Sequence, residues 1–150
     1  KDGEDGKDGK DGEDAGPSAV TLPNGATLAT TATDARLYWW DTSGNRGQWV
    51  AATTFTNDSG RHQYLTLEVV RTTAEGKRST TLVKDFYVGA RGSATYEAWD
   101  NDVRSKGSTK HNVESVEVRV TTVRTADADW RTVTYATDGP AAVVAAPDLP

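Results

Sequence analysis

The stretch Tyr64-Leu65-Thr66-Leu67-Glu68-Val69 decides the fold class of this chain. Leu65, Leu67 and Val69 occupy every second position, and more polar residues stand between them. Successive side chains of a β-strand point to opposite faces, so this alternation places the three apolar residues on one face. The pattern predicts a strand with one buried face.

The same alternation returns later in the chain at Val116, Val118 and Val120. Residues rich in Thr, Val and aromatic side chains favour strands, because these side chains pack well on a pleated surface. Four further segments of this kind are strand candidates: residues 36–40, 48–55, 80–88 and 130–135.

Short turn signals containing Gly, Asn, Asp or Pro separate the strand candidates. The clearest are residues 23–25, 42–45, 57–60 and 75–77. No amphipathic helix of three or more turns is apparent. We therefore predict an all-β fold, with residues 17–138 forming an antiparallel β-sandwich or jelly-roll head. Residues 139–150 are expected to form an extended tail, which either packs along a neighbouring subunit or begins a linker.

Glycine occupies every third position at the start of the chain. These glycines are Gly3, Gly6, Gly9 and Gly12, and Ala15 stands where the next would fall. Only glycine fits at the crowded axis of three polyproline-II-like strands, so a period of three is what a collagen triple helix requires. The repeat predicts that residues 1–16 are the end of a collagen-like stalk and that the chain is a homotrimer.

The triplets contain no proline and carry Lys or Glu before Asp. Staggered chains would place lysines near aspartates of other strands, and such ion pairs are weak singly but can add up in a network. Two alternatives stay open. A charge-rich segment of low hydrophobicity can be disordered, and an Asp-rich repeat can bind calcium, although Asp2, Glu4 and Gly6 do not match the spacing of an EF-hand loop.

Charged Gly-Lys-Asp and Gly-Glu-Asp triplets followed by a C-terminal β domain resemble bacteriophage tail fibres and minor tail proteins with collagen-like segments. The resemblance rests on about a tenth of the chain. It implies a structural virion protein that is not an enzyme, whose head trimerises the stalk and takes part in host attachment. The implied partners are other tail or fibre proteins and a host cell-surface polysaccharide. A secreted or surface-attached bacterial collagen-like adhesin, outside the virion, is the alternative, and a small glycan hydrolase is a further one.

Composition argues against several other classes of protein. The net charge of −5 gives no basic face for nucleic acid. The first 16 residues hold three lysines against seven acidic residues, a net charge of −4, and the remainder, with 14 basic and 15 acidic residues, stands at −1. Cysteine is absent. No apolar run approaches the roughly 18 to 20 residues of a membrane-spanning helix, so membrane insertion is not expected. Because the sequence does not begin with Met, we expect it to be processed or part of a longer chain.

Few residues suggest catalysis. The two histidines, His62 and His111, lie in polar turns, where we expect solvated loop residues. Neither stands in a nucleophile motif, and two histidines cannot form a three-histidine zinc centre. No cofactor is expected, with calcium as the one open possibility.

Two groups of residues are binding candidates. Trp39, Trp40 and Trp99 could stack on sugar rings; in a regular strand the first two must point to opposite faces, so one of them would face outward. Asp100-Asn101-Asp102 could supply hard oxygen ligands to Ca²⁺. The alternative for this second group is an Asx-rich turn whose side chains bond their own backbone.

Overall fold

The structure is a computed structural model that describes residues 16–40, 47–102 and 111–148. Its nine strands are β1 (Ala19–Thr21), β2 (Thr27–Trp40), β3 (Gly47–Asn57), β4 (Gln63–Thr73), β5 (Arg78–Val88), β6 (Ser93–Ala98), β7 (Val113–Ala126), β8 (Thr132–Ala136) and β9 (Ala141–Ala145). The described residues form no helix, and hence none that could cross a membrane. The predicted all-β class is confirmed.

The strands form two antiparallel sheets. The first has the order β1-β2-β3-β6, and the second has the order β5-β4-β7-β8. Strand β7 is long enough to hold two partners on the same edge, since β8 pairs with its residues 122–126 and β9 with its residues 115–119. The chain therefore crosses between the sheets three times, after β3, after β5 and after β6.

The core lies between the two sheets. Leu65, Leu67 and Val69 of β4 are fully buried, as the alternation predicted, and they belong to one apolar cluster with Trp49 and Phe55 of β3. The indole Nε1 of Trp49 also donates a hydrogen bond of 3.2 Å to the carbonyl oxygen of Val113, at the start of β7. Both sheets thus share one core, which makes the fold a two-layered β-sandwich.

The segment that follows the glycine repeat is hydrogen-bonded to both sheets, to β9 through Pro17 and to β2 through Ser18. The carbonyl oxygen of Pro17 accepts a 2.9 Å hydrogen bond from the backbone N–H of Ala141. Gly16 has a φ of +81°, which favours glycine, and a Cβ there would lie 2.9 Å from Nη1 of Arg119. The four repeat glycines lie outside the described residues, so the stalk stays a prediction.

The C-terminal part of the chain differs from its prediction. The tail expected from residue 139 contributes strand β9 to the second sheet, and Val144 in this strand is buried in the shared core. The apolar run between Pro140 and Pro147 shows no alternation that would predict a strand. In the structure it pairs with residues 115–119 of β7, beside the part of that strand which pairs with β8. Residue 138 is therefore not a structural boundary of the head.

Replacing Leu67 by Ala tests the importance of the buried face of β4. We expect the free energy of unfolding to fall by about 2 to 5 kcal/mol, since the truncation leaves a cavity in a packed core. Thr81→Ala on the exposed β5 is the control, with an expected change within about 0.5 kcal/mol. Urea unfolding measures both, and equal losses at the two positions would contradict the assigned core.

Candidate binding groove on the first sheet

A shallow groove of about 280 Å³ lies near the end of the first sheet where β2 finishes. Three adjacent strands and the residue after β6 build it, because β2, β3 and β6 are neighbours in that order. The lining residues are Arg36, Leu37, Tyr38, Val50, Glu97 and Trp99. Val50 is almost fully buried, which makes it part of the apolar floor.

Two exposed aromatic side chains stand together in this groove. Tyr38 is 63% exposed and Trp99 is 39% exposed, and their ring centroids lie 4.6 Å apart in an edge-to-face arrangement. This contact is one of the favoured geometries of aromatic pairs and restrains both rings. It also leaves part of their apolar surface in solvent, where another ring can pack.

Charged groups lie beside the aromatic pair. The guanidinium Nη2 of Arg36 donates to Oε2 of Glu97 at 2.6 Å, and its Nε lies 3.5 Å from the carboxylate of Asp34. The Arg36 side chain is 56% exposed, so these ion pairs contribute at most about 1 kcal/mol to stability. Their donors and acceptors are accessible to the hydroxyl groups of a ligand.

The predicted stacking residues have different outcomes. Trp99 lines the groove, and its stacking on a sugar ring stays a prediction. Trp39 and Trp40 end strand β2, where they pair with Gln48 and Gly47, and their side chains lie outside the described part of the structure. Tyr38 belongs to the same aromatic run, residues 38–40, but it was not among the three predicted stacking residues.

The proposed calcium ligands are occupied by protein contacts. Asn101 is buried; its Oδ1 accepts from Nε of Arg71 at 2.8 Å, and its Nδ2 donates to the carbonyl oxygen of Ala98 at 2.6 Å. Asp100 is exposed and accepts from the side-chain amide of Gln48. Within the described ranges, no group of three or more His, Cys, Asp or Glu side chains converges as a metal site would require. Calcium binding thus stays a prediction without a ligand cluster in this loop.

The prediction that His111 is a solvated loop residue is wrong. Its side chain is buried, with Nδ1 bonded to the carboxylate of Asp102 and Nε2 within 2.7 Å of the carbonyl oxygen of Pro147. The second carboxylate oxygen of Asp102 accepts the backbone N–H of Asn112 at 2.9 Å. This network joins the loop after β6, the approach to β7 and the segment after β9.

His62 is exposed, as predicted, but it is not without contacts. Its Nδ1 lies 2.8 Å from the hydroxyl oxygen of Tyr87 and accepts a 3.3 Å hydrogen bond from the backbone N–H of Ala90. These bonds hold the imidazole ring against the end of β5.

Comparison with known proteins supports only the fold. No family model and no curated protein matches the chain. A solved structure of a Bordetella pertussis protein described as ApaA is similar with a TM-score of 0.52 and 12% identity, over 81% of this chain and 95% of its own. The Northeast Structural Genomics Consortium target SoR45 matches with a TM-score of 0.49 and 11% identity, over 80% and 87% of the two chains. At 12% identity the first likeness shows a shared β fold and no function.

Matched Asp→Asn substitutions test the buried network. Asp102→Asn removes the charge that His111 contacts while keeping the side-chain shape, and we expect a loss of about 1 to 3 kcal/mol in the free energy of unfolding. Asp100→Asn, two residues earlier and exposed, should change it by less than about 0.5 kcal/mol. Thermal and urea unfolding measure the difference, and an unchanged stability of the Asp102 variant would argue against the network.

Proposed function

We propose that this chain is a structural and host-recognition component of a bacteriophage tail fibre or tail tip, and that its head binds a cell-surface glycan through the groove. One observation carries the binding part: the exposed Tyr38–Trp99 pair beside the Arg36–Glu97 ion pair. The trimeric, stalk-bearing part of the proposal rests on the glycine repeat of the sequence.

The chemistry of the groove suits a saccharide. A sugar ring presents an apolar C–H face that can pack on an aromatic ring, and its rim carries hydroxyl groups that both donate and accept hydrogen bonds. Trp99 and Tyr38 offer the first kind of contact, while the guanidinium of Arg36 and the carboxylate of Glu97 offer the second. The volume of about 280 Å³ lies near the lower end of small-molecule sites, which favours a short segment of a polysaccharide.

The connection between the repeat and the head supports the arrangement of the trimer. Pro17 is tied by its backbone to Ala141 of β9, so the chain meets the head at a fixed point directly after the repeat. Three strands that wind together before this point would bring three heads, and three grooves, close to one another. Weak binding at each groove would then add up by multivalency. In this proposal the N-terminal side joins other tail or fibre proteins in the virion.

Glycan binding is tested by changing the aromatic pair. Trp99→Ala and Tyr38→Ala should each weaken binding to a saccharide identified on a glycan array by at least about tenfold, the equivalent of about 1.4 kcal/mol. The control is Leu82→Ala, which removes an exposed apolar side chain from β5 on the other sheet. If all three variants bind as the unchanged chain does, the groove is not the glycan site.

The stalk and the trimer are tested by mass and by circular dichroism. Light scattering should give about three times the 16.1 kDa chain mass, because the triple helix requires three strands. In a variant extended by further triplets, a polyproline-II signal should melt cooperatively, and Gly6→Ala should lower its melting temperature. A monomer that shows no such melting would point to a disordered N-terminal segment instead.

A further inference from the structure

A second pocket lies on the other sheet, where β4 begins and β7 ends. Its volume is about 160 Å³. Tyr64 and Arg124 sit opposite each other in the register of β4 and β7, on the face that points away from the core. The turn before β8 adds Trp130, which is 68% exposed.

Two arginines of this pocket are held over aromatic rings. The guanidinium carbon of Arg61 lies 4.9 Å from the ring centroid of Trp130, and that of Arg124 lies 4.3 Å from the ring centroid of Tyr64. A guanidinium that stacks on a ring by its face keeps the N–H groups at its edge for in-plane hydrogen bonds. These edges match the planar oxygens of a carboxylate, or the oxygens of a phosphate.

The donors of this pocket are incompletely used by the protein. The Nε of Arg61 is buried and has no hydrogen-bond partner among the residues that the structure describes. Arg124 contacts Asp85 at 3.2 Å, but this pair is exposed, with side-chain exposures of 41% and 74%, and such pairs are weak. An anionic ligand can therefore compete with Asp85 for Arg124, while the guanidinium of Arg61, whose Nε is closed to solvent, adds positive charge to the lining.

His62 also lines the pocket, and its ring is held there by contacts of Nδ1 with the backbone N–H of Ala90 and the hydroxyl group of Tyr87. The adjacent turn also carries two acidic residues, Asp127 and Asp129, and the Oδ1 of Asp127 accepts the backbone N–H groups of Asp129 and Arg131.

We propose that this pocket binds the anionic group, a carboxylate or a phosphate, of an acidic sugar residue. Two guanidinium groups supply the charge, and the exposed Trp130 supplies a face on which the sugar ring packs. The volume is below the roughly 300 to 1,000 Å³ of sites that enclose a drug-sized ligand, so the pocket takes one end group and not a long segment. This inference concerns a different sheet from the groove and does not depend on the proposed phage function.

Three soluble probes test the chemistry on the full chain: glucuronic acid, glucose 6-phosphate and glucose. In an NMR titration we expect at least one anion to bind at least tenfold more tightly than glucose, and to shift the side-chain Nε–H signal of Arg61. The better anion tells a carboxylated from a phosphorylated source. Glucose binding as tightly as both anions, or an unmoved Arg61 signal at saturation, would overturn the proposal.

Variants locate the site independently of those signals. Arg61→Gln and Arg124→Gln should each weaken binding of the better anion at least tenfold. Arg78→Gln, an exposed arginine that lies outside the pocket and pairs with Glu117, should leave it unchanged. Equal affinity in all three variants would overturn the proposal. Trp99→Ala should retain anion binding, so failure of the groove proposal and failure of this one are distinguishable.

Discussion

Burial of one face of β4 and β7 against the first sheet is the interaction on which the rest of the structure depends. In the register of these two central strands, Leu67 pairs with Val120 and Val69 pairs with Val118, so their apolar side chains form one continuous inner face. A strand that buries every second residue must present the others outward. The same constraint that builds the core therefore places Tyr64 and Arg124 on the outer face of the second sheet.

The sequence was informative where a signal was local. The alternation in residues 64–69 predicted both the strand β4 and its buried face, and the all-β class followed from several such segments. Burial of His111 could not be predicted in this way, because its turn is polar and its partners, Asp102 and Pro147, are brought to it only by folding. Strand β9 was missed for a related reason, since a five-residue apolar run becomes a strand only beside an open edge of β7.

The binding sites likewise combine residues that the sequence can suggest with contacts that form only on folding. Trp99 could be named from the sequence as an aromatic candidate, but its neighbour Tyr38 lies 61 positions earlier. The two rings meet because β2, β3 and β6 are consecutive in the sheet, with only β3 between the strands that carry them. The contacts of Arg61 with Trp130 and of Arg124 with Tyr64 likewise join residues that are distant in the chain. A single sequence supplies the residue types of such sites, whereas the strand order supplies their positions.

We propose that the inner faces of the sheets provide stability and that the outer surfaces bind ligands, and one measurement tests this division directly. Backbone amide chemical shifts of the full chain would be followed while polysaccharides from bacterial cell surfaces are added. We predict concentration-dependent shifts at the groove, around Glu97 and Trp99, while the buried residues of β4 such as Leu67 stay unchanged. Polysaccharide binding that leaves the groove amides unmoved, or that shifts the buried strand instead, would contradict this division.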